Sequence, residues 1–182
     1  SNGMSLTIIT FGGIVTKLTA PDRDGNYEDI VLGYNNPQDY LKPSTEYFGA
    51  IIGRVANRIA DGKFKIGESE YEVTIKNSPN ALHGGKEGFD RKIWIAEVDE
   101  TAACPTLILS YESPDQEEGF PGNLKVKVIY KLTHDDAFEI SYEAVTDQKA
   151  VVKLTHHSYF NLSGNFSNTI LDHDLYLAAN AM

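Results

Sequence analysis

Three short segments of the sequence concentrate side chains able to donate, accept or transfer protons. In Leu154-Thr155-His156-His157-Ser158-Tyr159-Phe160-Asn161-Leu162, an extended chain puts His157, Tyr159 and Asn161 on one face and His156, Ser158 and Phe160 on the other. Only one of the adjacent histidines can then enter a given pocket from this strand. Histidine titrates near neutral pH, tyrosine supplies an aromatic wall and asparagine an amide, a set suited to a polyhydroxylated ligand. The same row also suits a plain polar sheet face.

The second segment is Gly53-Arg54-Val55-Ala56-Asn57-Arg58-Ile59, where an amide and two guanidinium groups interrupt an apolar stretch that begins at Phe48. Strict alternation would put Arg54, Ala56 and Arg58 on one face and Asn57 on the other. A bend or bulge is needed to aim Asn57 and Arg58 together into a pocket, where they could hydrogen-bond vicinal hydroxyls or a carboxylate. The alternative is a solvated arginine pair at a strand end. The third segment, Asn77-Ser78-Pro79-Asn80-Ala81-Leu82-His83-Gly84-Gly85, is marked as a loop by its proline and glycines. A histidine at a glycine-rich bend is open to ligand, although an isolated loop histidine needs no function at all. Metal binding has weaker support, because His156 and His157 diverge and no His-x-His pair or His-Glu-x-x-His helix places two ligands together. No phosphate-cradling glycine loop and no Gly-x-Ser-x-Gly elbow is present either.

The elements that must hold these segments read as strands. Period-two alternation dominates, and turn residues interrupt it at short intervals. Leu6 to Phe11, Ile14 to Ala20 and Ile30-Val31-Leu32 are separated by Gly12-Gly13 and by the turn cluster Pro21 to Asn26. Lys63 to Ile66 and Tyr71 to Ile75 flank Gly67-Glu68-Ser69 as a hairpin. The clearest hairpin pairs Val126, Val128, Tyr130 and Leu132 with Phe138, Ile140, Tyr142 and Ala144 across residues 133–137. Lys125, Lys127 and Lys131 form its wet face, and such lysines also discourage edge pairing. Asn36 to Leu41 suggests a short helical turn, and residues 171–178 suggest a last strand. The expected fold class is all-β, an antiparallel β-sandwich.

Composition narrows the function classes. The chain has 182 residues, and its 16 Lys+Arg against 26 Asp+Glu give a formal charge of −10. With no local basic cluster, that balance speaks against nucleic-acid and membrane-surface partners. The single cysteine, Cys104, excludes an internal disulfide framework and fits a reducing compartment. No apolar run approaches the roughly 20 residues of a membrane-spanning helix. A cytoplasmic location is expected. Ser1, Asn2 and Gly3 before Met4 read as an expression scar, leaving residues 4–182 as the folded segment.

Taken together and in order, several motifs resemble the aldose 1-epimerase (galactose mutarotase) family. They are Pro21-Asp22-Arg23-Asp24-Gly25, Val31-Leu32-Gly33, Tyr47-Phe48-Gly49, Gly53 to Ile59, Leu82-His83-Gly84-Gly85 with Gly88-Phe89-Asp90, Glu118-Gly119-Phe120-Pro121-Gly122 and His157-Ser158-Tyr159-Phe160-Asn161. The resemblance covers essentially the whole chain. It implies a large antiparallel β-sandwich whose cleft binds a free aldose and interconverts its α and β anomers, with no metal and no organic cofactor. His157 takes the place of the general acid, His83 contacts the sugar, and Asn57 and Arg58 occupy the Asn-Arg binding positions, with Tyr159 as a further substrate contact. Anomer exchange removes the C1 hydroxyl proton, protonates the ring oxygen, and lets the opened ring reclose on the other carbonyl face. Each positioned proton transfer of this kind contributes about 10²–10⁴-fold.

Two departures from the family pattern stand out. Position 156 is His where the family usually has Asn, which should alter packing rather than chemistry. Family members are also nearly twice as long, and their general base, a glutamate, together with a sugar-binding aspartate, lies in the C-terminal half. Residues 4–182 are thus expected to be the N-terminal part of one sandwich, inactive alone, with an exposed strand edge at the C-terminal side. The competing expectations are a catalytically silent carbohydrate-binding or interaction module, and a hexose-6-phosphate 1-epimerase relative, which would need extra cationic groups.

Overall fold

A computed structural model describes residues 3–42, 46–76 and 79–178. Strands β1 (Ser5–Ile9), β2 (Ile14–Pro21) and β3 (Tyr27–Asp29) form a three-stranded antiparallel sheet in the order of the sequence. The third strand is not the apolar run at residues 30–32. Val31 instead makes a single antiparallel bridge with Phe160, and its side chain drops into the core. The 3₁₀ turn Pro37–Leu41 lies where the sequence suggests helix, capped by the Asn36 side chain accepting from Gln38 N at 3.0 Å.

The segment that follows supplies short ladders: β4 (Ile51–Ile52), β5 (Arg58–Ile59), β6 (Lys63–Ile66), β7 (Ser69–Glu72) and β8 (Ala81–Leu82). Strands β6 and β7 close over the two residues Gly67 and Glu68, with Gly67 at φ 62° in a conformation that favours glycine.

The larger sheet contains β9 (Ile95–Val98), β10 (Thr106–Ser113), β11 (Leu124–Leu132) and β12 (Phe138–Thr146), in the order β12-β11-β10-β9. Alternation in β11 has the expected outcome: Leu124, Val126, Val128, Tyr130 and Leu132 are buried, while Lys125 and Lys127 are exposed. Its lysines do not guard an edge, because β11 is central. They line up with acids on the neighbouring strands, as in Lys131–Glu139 at 2.9 Å and Lys125–Glu112 at 4.0 Å. Opposite charges facing across adjacent strands favour the pairing, weakly where water screens them.

The two sheets pack face to face as a sandwich. Val15 and Leu18 of β2, with Val31, meet Leu109 of β10 and the buried row of β11, and Phe89 and Trp94 fill the same core. Burying each such side chain stabilises the fold by roughly 1.5–3 kcal/mol. The last strand is β13 (Thr155–His156). Residues 171–178, expected as a strand, are irregular and exposed, with Leu171, Leu175 and Tyr176 more than four-fifths accessible. No helix among the described residues is long and apolar enough to cross a membrane.

Candidate active site

One segment, residues 49–59, brings the two candidate histidines together. Its first part pairs with the histidine segment 154–162: Ile52 opposes Thr155, Ile51 opposes His156, and His157 N donates to Ala50 O at 2.9 Å while Gly49 N donates to His157 O at 3.1 Å. Its last part pairs with the loop segment 77–85: Arg58 opposes Leu82, and His83 N donates to Asn57 O at 3.1 Å. The His83 and His157 rings, far apart in sequence, end with centroids 5.1 Å apart and nearly perpendicular.

The bend this geometry requires is at Asn57, where φ is 68°. Asparagine tolerates that left-handed conformation better than other side chains, and here its Oδ1 accepts from the Arg58 main-chain N at 2.9 Å. Arg58 is exposed, with its charge close enough to bear on His83. Arg54 behaves quite differently. It is 2% exposed and donates from Nε to Ser113 Oγ (2.8 Å), from Nη1 to Pro121 O (2.9 Å) and from Nη2 to Ser113 O (2.9 Å) and Pro114 O (2.8 Å). The pair is therefore not a solvated one: Arg54 anchors the middle of the segment to β10, and Arg58 is left for the surface. Glu117 completes the anchor, bonded by Lys92 (2.8 Å), by Tyr111 (2.7 Å) and by Ser113. Burial opposes the Glu117 carboxylate, but the bonds from Lys92, Ser113 and Tyr111 outweigh it and hold its pKa below the ordinary value.

His83 also sits in left-handed backbone, at φ 53°, at the end of β8. Gly84 follows it because a Cβ there would run into the carbonyl oxygen of Gly53. Beyond it, the loop is fastened by Glu118, whose carboxylate is bonded by the Thr74 hydroxyl and by Lys86 N at 2.7 Å. The Asn57 main-chain N donates to His83 Nδ1 at 3.1 Å. Burial, the neighbouring His157 and then Arg58 push the His83 pKa down to about 4. His83 is accordingly neutral near pH 7.

The adjacent histidines do diverge. His157 faces His83, Tyr47 (5.5 Å) and Tyr159 (5.1 Å), whereas the His156 ring packs edge-on to Tyr130 and Phe138. His156 Nε2 lies 2.6 Å from Ser158 Oγ and its Nδ1 lies 3.3 Å from Tyr130 Oη. Tyr130 spends its one proton on Gly13 O at 3.0 Å, so its oxygen accepts from His156 Nδ1–H, and Nε2 accepts from Ser158. Burial and then the nearby His157 depress the His156 pKa to about 4.

Tyr159 remains 41% exposed beside His157 and Phe48. Asn161, on the same sequence face, is not in this cluster. It is 3% exposed and shapes the following turn, donating to Asn168 O (3.0 Å) and accepting from Ser163 N (3.1 Å) and Oγ (2.7 Å). Asn77 and Ser78 of the third segment lie outside the described residues.

Tyr47 is the residue that reading the sequence leaves out. Its ring stands edge-on to His83 at 4.8 Å and tilted against His157, so it wedges both. Burial, then the charge of Asp90, raises its pKa, and burial raises that of Asp90 itself to about 6. The only signal for Tyr47 in the sequence was its place before Phe48-Gly49. Among the described residues no group of three or more His, Cys, Asp or Glu side chains could hold a metal ion. The arrangement brings two imidazoles, an amide, a guanidinium and two aromatic walls together on an open surface.

Known proteins resemble the chain along essentially its whole length. The family model described as aldose 1-epimerase matches residues 1–182. Galactose mutarotase of Mus musculus is 44% identical over 181 residues, covering 100% of this chain and 51% of the mouse protein. Aldose 1-epimerase of Escherichia coli (strain K12) is 34% identical over 178 residues, 97% of this chain and 50% of that protein. Among solved structures, the GalM/aldose epimerase homologue from C. elegans superposes with a TM-score of 0.79 at 32% identity, covering 88% of this chain and 48% of that one. Galactose 1-epimerase from Lactobacillus acidophilus NCFM gives 0.78 at 28% identity, covering 88% and 46%. The chain spans about half the length of the curated relatives it matches.

Proposed function

Since the chain belongs to the aldose 1-epimerase family, we propose that it carries the acid side of a site that interconverts the α and β anomers of a free aldohexose of the galactose or glucose type. The observation that carries this reading is the convergence of His83 and His157, 5.1 Å apart, beside the Asn57 bend. His157 donates a proton to the ring oxygen as the C1 hydroxyl loses its own. His83, Asn57 and Arg58 hold the sugar hydroxyls and stabilise developing charge, and Tyr159 and Tyr47 wall the ring.

The base is not among the residues assigned here. It comes from the half of the family fold outside the matched segment, and the 182-residue chain alone is inactive as an epimerase. Polarimetry on fresh α-D-galactose or α-D-glucose tests this. A chain of the relatives' length that includes this segment is expected to speed the change in rotation above buffer, and an inactive one would sink the enzyme reading. The second reading, a carbohydrate-binding module without catalysis, is favoured by the exposed and largely preformed binding groups. It gains if the 182-residue chain binds sugar and the longer chain is also inert. A cytoplasmic location and a small-molecule aldose as the sole class of partner belong to the same proposal.

A further inference from the structure

We propose that the main-chain amide of Asn57 is the positioning group that fixes His83 as the Nε2–H tautomer, making His83 a permanent hydrogen-bond donor and leaving His157 alone to carry the transferable proton. The inference deepens the epimerase reading and rests on it for its meaning in catalysis, but the tautomer is a property of the chain without sugar.

A main-chain N–H can only donate, so the 3.1 Å bond from Asn57 N requires a lone pair on His83 Nδ1 and places the ring proton on Nε2. The bond is one half of a reciprocal pair, since His83 N donates back to Asn57 O at 3.1 Å. Both residues must be left-handed to face each other this way, with φ of 68° and 53°. The Asn57 side chain has a local task in this, because its Oδ1 holds Arg58 N and so maintains the bend.

A second proton on His83 would break the Asn57 bond and put a cation against its neighbours. Those that face it are His157 across the cleft and Arg58 on the paired strand, with Tyr47 wedged alongside and Asp90 acting on Tyr47 from behind. The Lys86 amide and Glu118 fasten the loop beyond. Two nearby imidazoles would otherwise share one proton ambiguously. The Asn57 amide removes that ambiguity by occupying the one His83 nitrogen that could compete. His156 gives a built-in contrast: Tyr130 and Ser158 fix it in the opposite, Nδ1–H form.

Long-range ¹H–¹⁵N correlation spectra of the uniformly labelled 182-residue chain at neutral pH read both tautomers directly, with His83→Gln identifying the His83 signals. The expected pattern is a protonated Nε2 and a bare Nδ1 for His83, and the reverse for His156. A His83 ring protonated at Nδ1, at both nitrogens, or averaging between forms overturns the proposal.

Two variants separate amide from side chain. Asn57→Gly keeps the N–H and the left-handed backbone, and the His83 pattern should persist. Asn57→Ala strains that backbone, and the pattern should shift toward tautomer averaging. Loss of the pattern in the glycine variant would mean that the Asn57 side chain, not the amide, sets the tautomer, and would overturn the proposal. Should the alanine variant not fold, the wild-type and glycine spectra still decide. A chain with the expected tautomer but no epimerase activity in the longer protein keeps this inference and discards the catalytic reading.

Discussion

His156 is the imidazole whose burial should be felt most directly in stability. Its pKa is about 4 in the folded chain against an ordinary 6.5, so between those values the unfolded chain binds the proton more strongly. Stability therefore falls as pH falls through 6.5, and the loss is complete near 4. Integrating the linkage from about pH 8 to about pH 5 gives a loss of about 2 kcal/mol from this one residue. Asp90 acts in the opposite sense. Its pKa is raised from 3.8 to about 6, so protonating it on acidification restores stability lost to its burial as a carboxylate. His83 adds to the histidine side. Comparing wild type with His156→Asn cancels these shared contributions. Urea unfolding at the two pH values should show that the variant loses about 2 kcal/mol less on acidification, a difference in midpoint shift of about 1 M for a slope near 2 kcal/mol/M. Equal acid losses in the two proteins would refute the picture of His156 as a neutral, half-buried group facing away from His157.

Other consequences can be checked on the same protein. Arg54→Met leaves the carbonyls of Ser113, Pro114 and Pro121 without their donor, and at roughly 1–3 kcal/mol per buried acceptor the urea midpoint should drop steeply; an unchanged midpoint would deny the anchor. Glu118→Ala releases Lys86 N and Thr74, so amide exchange should quicken in residues 83–86 while β11 stays protected, and uniform protection would show that the clamp is idle. Tyr47→Ala opens the wall beside His83, and since burial is the main cause of its low pKa, the His83 midpoint should rise toward the ordinary value; an unmoved NMR titration would remove Tyr47 from that role.

What could be read in the sequence follows from how local each signal is. The alternation in residues 124–132 survives in β11, which is long and one-sided in its burial, whereas β12 half-buries Phe138, Ile140 and Tyr142 and then leaves Glu143 to Thr146, Ala144 among them, exposed. Opposite facing of His156 and His157 is legible for the same reason, being a property of any extended chain. Arg54 is not legible. Its burial depends on Ser113, Pro114 and Pro121, which nothing in the 53–59 pattern reveals. Asn57 lies between these cases: the need for a bend could be stated, but the left-handed residue that makes it is set by pairing with His83. Asn161 kept the face assigned to it only until the chain left the strand, where its amide caps a turn instead. Residues 171–178 have a strand-like composition, yet they find no ladder partner among the described residues.

In the proposed function His157 is the proton donor of an anomer-exchanging site whose other groups bind and orient. The most direct test is polarimetry on fresh α-D-galactose with a chain of the relatives' length, comparing the parent with His157→Ala across a range of sugar concentrations. Loss of that donor should lower kcat by about 10²–10⁴-fold with KM little changed. Turnover near that of the parent, or a loss confined to KM, would contradict it.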